Sequence, residues 1–127
     1  MIPLPVFLMA VPVPDAEPVL AAVKACDRGE IRALIKDEPH RRTQFAAAIY
    51  AEQRAIAAER ATLLAAPAPA QASPAGQATA ATALAQLDAR QKQLDDARAI
   101  ERAWRDLFDE ARADYLANCS GARKDAS

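Results

Sequence analysis

Between Thr79 and Asn118 the chain carries neither proline nor glycine. Its apolar residues there recur every three or four positions, at Leu84, Leu87, Leu94, Ala97, Ile100, Trp104, Leu107, Phe108, Ala111 and Tyr115. That period places them on one face of an α-helix, with a gap at Gln91. The opposite face is ionic: Asp88 with Lys92, Glu101 with Arg105, Arg102 with Asp106 and Arg105 with Asp109 stand four apart. Such pairs contribute about 0.2–0.5 kcal/mol each and matter chiefly as a sign of helix. At ~1.5 Å per residue the element is roughly 60 Å long, far beyond an average globular helix, so it needs a partner along its length.

A second long amphipathic helix is expected from Pro39 to Ala65. Phe45, Ile49, Ile56 and Leu63 line one side of it, the last three spaced as in a coiled-coil seam, and alanine fills most neighbouring positions. Residues 66–78, APAPAQASPAGQA, form an uncharged linker rich in proline and small residues, long enough to reverse the chain. The two long helices then run antiparallel. With the fold near residue 72, opposing residue numbers add to about 144, and Phe45 and Ile49 face the region of Ile100 and Leu94.

Asp15 to Cys26 reads as a short helix, with Asp15 as cap, Pro18 in the first turn and Val19, Ala22, Val23 and Cys26 on one face. Asp27 opens another through an Asp27-x-x-Glu30 capping pattern, with Ile31, Leu34 and Ile35 on its buried side. Asp37-Glu38-Pro39 is expected to end it, because proline disfavours helical backbone in the residue before it. The expected fold class is all-α, a long antiparallel helical hairpin with two short N-terminal helices packed at its base. The last turns of the 79–119 helix overshoot their partner, so the short helices cover them. A head holding Phe45, Trp104, Phe108 and Tyr115 would then sit on an alanine-rich stalk.

Composition sharpens that picture. The chain is 52% hydrophobic but only 5% aromatic, so it specifies helices better than it specifies a thick core. Sixteen basic and 17 acidic residues interleave to a net charge of −1, and no basic patch invites nucleic acid. Residues 1–14 are apolar, uncharged and far short of the ~20 residues that span a bilayer, so no integral membrane segment is expected. Leu4 to Val13 has the character of a signal-peptide apolar region, although a basic start and an Ala-x-Ala-like cleavage site are missing. The segment is either a signal or an extended apolar arm on the helices. The balance favours export to the periplasm or beyond, with the cytoplasm as the alternative.

Two cysteines allow one pairing. The antiparallel register brings Cys26 and Cys119 to the same end, where a disulfide would close a loop of about ninety residues and contribute ~2–4 kcal/mol. It would persist in an oxidising compartment. The alternative is two buried thiols. Residues 120–127 read as a polar tail.

Chemistry is sparse. His40 is the only histidine, which excludes catalytic triads and paired-histidine metal motifs within one chain. Cys26 or Cys119 with His40 as base is arithmetically open, but nothing nearby activates a thiol. A zinc site from Cys26, Cys119, His40 and a carboxylate matches no zinc spacing. Glu52 and Glu59 lie opposite Asp88, Asp95 and Asp96, yet a di-metal centre requires Glu-x-x-His repeats, so a solvated face or an ionic face between the helices is the expected reading. Glycines 29, 76 and 121 are too isolated for a phosphate loop. No catalytic, cofactor-binding or metal-binding residue is therefore assigned, and no enzyme is expected. Arg41-Arg42, at a helix start, reads as solvated surface.

Trp104 sits on the apolar stripe, as core or as the alternative of a partner contact, while Tyr50 lies off the seam and is the better candidate for a partner contact. Trp104, the following aromatic residues and the closing Cys119 are faintly similar to small periplasmic helical inhibitors of lysozyme type. The spacing from Trp104 to Cys119 departs from their compact ending, and no residue role carries over. The expected function is a non-enzymatic, exported helical protein acting through its surface as a structural, adaptor or chaperone-like component. It would bind a protein partner or itself, as a homodimer packed through Ile49, Ile56, Leu63, Leu84, Leu87 and Leu94. The alternative is a small periplasmic inhibitor or binding module acting on an enzyme.

Overall fold

The computed structural model describes residues 14–65 and 73–125, with side chains as far as Cys119. The signal-like arm up to residue 13 and the linker residues 66–72 lie outside the described residues. The described secondary structure is helical throughout: α1 Glu17–Lys24, α2 Arg28–Leu64 and α3 Pro74–Asp125.

Local chemistry sets the boundaries of α1. Pro18 occupies the first turn, where its missing N–H costs no helical hydrogen bond. The Asp15 carboxylate accepts the Glu17 N–H at 3.0 Å, one residue ahead of the capping position at Ala16. The helix closes in a Schellman turn, in which the Asp27 N–H donates to the Ala22 carbonyl (2.9 Å) and the Cys26 N–H to the Val23 carbonyl (3.1 Å). Cys26, with φ of 50°, holds the left-handed position that glycine usually fills. For a residue with a side chain that costs on the order of 1 kcal/mol. Asp27 then caps α2 by accepting the Glu30 N–H at 3.1 Å.

The expected break at Asp37-Glu38-Pro39 is absent. α2 runs unbroken from Arg28 to Leu64 with Pro39 inside it, so the described residues form one short helix and two long ones rather than two of each. An internal proline removes a hydrogen bond, crowds the carbonyl four residues back and costs about 3 kcal/mol. Tertiary contacts oppose that cost here. The neighbouring Glu38 is buried and accepts hydrogen bonds from the Trp104 indole N–H and from Arg41 in the next turn.

α3 begins at Pro74 instead of Thr79, which shortens the expected 66–78 linker from its far side. Ser73 is the reason. Its hydroxyl oxygen accepts the Gly76 N–H and its carbonyl the Gln77 N–H, both at 2.9 Å, and Pro74 takes the first helical position, where proline is preorganised. At the other end the backbone stays helical through Asp125, where a polar tail from residue 120 was expected. No proline follows Pro74 to interrupt the ladder, and the single Gly121 costs only about 1 kcal/mol.

Two compact units result, one built on Ala46–Ala97 and the other on Pro12–Phe45 with Arg98–Ser127. In the first, the aliphatic unit, α2 and α3 run antiparallel and bury Ile49, Ile56, Leu87 and Leu94. Gln53 pairs with Gln91, equidistant from residue 72 as the expected register requires. The homodimer seam expected from these residues is corrected by their burial. Four of its six members are consumed inside one chain, Leu63 is half-buried, and only Leu84 is exposed.

In the second, the aromatic unit, Val19 of α1 packs with Trp104, Phe108 and Ala111 of α3, flanked by Ala16, Val23, Leu34, Ile35 and Leu107. The Trp104 and Phe108 rings are tilted, with centroids 5.8 Å apart. Phe45 and Tyr115, expected in the core, are only half-buried. Burying Val19 contributes ~1.5–3 kcal/mol. That is little to hold eight helical residues when isolated helices under about 12–15 residues are marginal.

The inward stripe of α3 follows a seven-residue repeat: Leu87, Leu94, Glu101 and Phe108 are all buried. Ile100, placed on the stripe by its apolarity, is 46% exposed because the repeat assigns the inward position to its neighbour Glu101.

Candidate functional site

The repeat that orders the core also carries charge into it. In the aromatic unit, Glu38 of α2 and Glu101 of α3 are buried. Arg41 donates two parallel bonds to Glu101, at 2.8 and 2.9 Å, and its Nε donates to Glu38. The Trp104 Nε1–H donates to both oxygens of Glu38, at 3.0 and 2.8 Å, and Arg105 adds a bond to Glu101 at 2.9 Å. Arg42 stands 3.6 Å from both Glu38 and Asp109. The guanidinium groups of Arg41 and Arg42 lie 5.5 and 5.7 Å from the ring centroids of Trp104 and Phe108. Arg41 and Arg42 are therefore half-buried members of an ionic network rather than the solvated pair expected. Burial pushes the Glu101 carboxyl up, but the hydrogen bonds and charges of Arg41 and Arg105 outweigh it and hold its pKa below the ordinary value.

The aliphatic unit has a simpler network. Arg90 of α3 spans to two carboxylates of α2, Glu52 through Nε and Nη2 and Glu59 through Nη1. Arg60 pairs with Asp88 at 2.8 Å. The side-chain amides of Gln53 and Gln91 bond reciprocally, at 2.9 and 3.1 Å, which explains the gap in the apolar stripe. Gln91 also donates to Asp95 at 3.1 Å, and Lys92 pairs with Asp96 at 2.8 Å. Asp88 thus turns to Arg60 across the unit instead of to Lys92 on its own helix. Glu52 and Glu59 share Arg90, which is the inter-helix ionic face expected of them.

Cys26 and Cys119 are brought to disulfide distance, with sulfurs 2.10 Å and Cα atoms 5.4 Å apart, and neither is a free thiol. His40 lies exposed on α2. Trp104 is core, at 9% exposure, and anchors Glu38. Tyr50 is 64% exposed, with the Arg54 guanidinium 5.7 Å from its ring centroid. A gap of about 10 Å³ between Val19, Ile31, Leu34, Ile35, Phe108 and Arg112 has room for a single water and no larger ligand. Among the described residues, no group of three or more His, Cys, Asp or Glu is placed to hold a metal ion, and no helix is long and apolar enough to cross a membrane.

The sequence points to Glu52 and Glu59 as ionic but assigns no partner to them and no burial to Glu38. A signal was there: Glu52 lies between Ile49 and Ile56, and Arg90 between Leu87 and Leu94, each at a spacing that puts it on the inward stripe. Comparison with protein-family models, with curated proteins and with solved structures finds no match for this chain.

Proposed function

We propose that this protein is an exported, non-enzymatic antiparallel helical hairpin that acts through its surface, as a structural, adaptor or chaperone-like component, and that it associates with a second copy of itself. The observation that carries the reading is a strip of α2 within the aliphatic unit. Positions 47, 50, 54, 57, 61 and 64 follow helical spacing and are all exposed. Tyr50 and Leu64, 64% and 80% exposed, bracket Ala57 and Ala61, and Arg54 is the one charge on the strip. Exposed apolar side chains aligned at helical spacing suit an interaction site.

The strip suits its own copy. A two-fold axis through Ala57 sets Tyr50 of one chain against Leu64 of the other, with alanines between them allowing close helix approach. The Cys26–Cys119 pair at disulfide distance supports an oxidising compartment. Sedimentation equilibrium tests the association. Self-association at micromolar concentration, abolished by Tyr50→Glu with Leu64→Glu while helix content is retained, is the expected result. A strict monomer at high micromolar concentration overturns it.

A further inference from the structure

We propose that the Cys26–Cys119 pair is a thiol–disulfide exchange site, and that its reduction by a dithiol releases α1 from the aromatic core and uncovers Trp104 and Phe108. This inference is independent of the self-association proposed above, which concerns a different unit.

Four features of the aromatic unit meet at this bond. The two partners differ in access: Cys26 is exposed and Cys119 is buried, so an incoming thiolate reaches the Cys26 side first. Cys26 also occupies the left-handed position of the Schellman turn, a conformation disfavoured for any residue bearing a Cβ. Third, the helix that this turn terminates has only eight residues and buries only Val19 and Ala22. Finally, the end of α3 that carries Cys119 is thinly held. Between Ala111 and Cys119 every residue is exposed except the half-buried Tyr115. The covalent bond ties the α1–α2 turn to α3 beside the small apolar contact of α1, and that contact covers one side of the cluster that holds the ring pair.

The chemistry balances with a dithiol as reductant. One of its thiolates attacks the Cys26 sulfur, the Sγ–Sγ bond breaks, and Cys119 leaves as a thiolate. The second dithiol sulfur then attacks the first, releasing Cys26 and closing the reductant into its own disulfide. Two electrons pass to the protein, and the two protons of the dithiol end on Cys26 and Cys119. Freed of the bond, the turn at Cys26 can relax out of its left-handed conformation, and α1 loses its anchor.

The chain's only tryptophan reports the event. Dithiothreitol serves as the dithiol probe on the full chain. Trp104 emission is followed with acrylamide quenching, and amide hydrogen exchange is read segment by segment in the oxidised chain, the reduced chain and the Cys26→Ser/Cys119→Ser variant. The expected result in both the reduced chain and the variant is red-shifted, more quenchable Trp104 emission and loss of protection in residues 17–24, with protection in 49–64 and 80–94 retained. Unchanged emission and unchanged α1 protection after complete reduction would overturn the proposal. Simultaneous loss of protection in residues 17–24, 49–64 and 80–94 would also overturn it, because the bond would then support both units instead of gating one helix.

Discussion

Both units place a carboxylate at a core position of a helix–helix seam and answer it with arginine, but they do so with different redundancy. In the aliphatic unit Glu52 has a side chain only 2% exposed, and its ionic partner Arg90 also serves Glu59. In the aromatic unit Glu38 and Glu101 draw on Arg41, Arg42, Arg105 and the Trp104 indole together. A buried ion pair offsets its own desolvation only when its geometry and its remaining hydrogen bonds are good. The same device should therefore be brittle where one cation serves two anions and tolerant where donors overlap.

The largest expected effect breaks the brittle case. Arg90→Ala leaves Glu52 buried without its cation and should destabilise the protein by about 3–5 kcal/mol in urea unfolding. The companion Arg105→Ala also removes a partner of a buried carboxylate, but Glu101 keeps the paired bonds from Arg41. Because Arg105 is substantially exposed, its loss should cost no more than about 1 kcal/mol. Replacing Glu52 and Arg90 together by leucine and methionine should restore most of the lost stability, since an apolar pair of similar volume often matches a buried ion pair. If Arg90→Ala and Arg105→Ala cost the same, redundancy is not what separates the units.

A smaller effect is expected from Trp104→Phe. Phenylalanine keeps one aromatic ring in place, but Glu38 loses the indole N–H shared between its two oxygens, and Arg41 loses the larger ring beside it. A hydrogen bond to a charged group contributes about 1.5–3 kcal/mol, and the thermal midpoint should fall accordingly. The same variant tests the account of Pro39. If the Trp104–Glu38 contact holds α2 together through its proline, amide exchange should accelerate around residues 35–43 more than around 49–56.

How much of this was readable beforehand depends on which physics decides each feature. Capping is local, so Asp27 marks the start of α2, whereas the cap expected at Asp15 falls one residue ahead of Ala16; a reversal near residue 72 gives the pairing of Gln53 with Gln91. Ser73-Pro74 is an equally local start signal, but the prolines and small residues around it read as linker. Pro39 departs from expectation for a different reason. Its conformational preference is real, but the contact that opposes it comes from Trp104, far away in sequence. Ile100 and Glu101 teach a related point. Hydropathy chose the isoleucine for the core, whereas the seven-residue repeat chose the glutamate, and the repeat prevails because Arg41 stands opposite to neutralise it. Tyr50 was placed off the seam from spacing alone, and it lies on the exposed strip.

The smallest expected effect concerns acid. Burial alone would raise the Glu101 pKa, but Arg41 and Arg105 hold it below the ordinary carboxylate value of 4.5. A carboxyl whose folded pKa is depressed contributes stability that is fully present above its unfolded pKa and is lost as pH falls through the folded one. The aromatic unit should therefore keep its full stability above about pH 5 and lose this contribution below pH 4.5. Protonated Glu101 would face Arg41 and Arg105 without a charge to balance theirs. Urea unfolding followed at Trp104 across pH 3 to 7 should show this decline, and Glu101→Gln should flatten it at the expense of stability near neutral pH. A Glu101→Gln variant with the same acid slope as the parent chain would show that other carboxylates control the acid response, and that the arginines around Glu101 contribute little to the difference between the units.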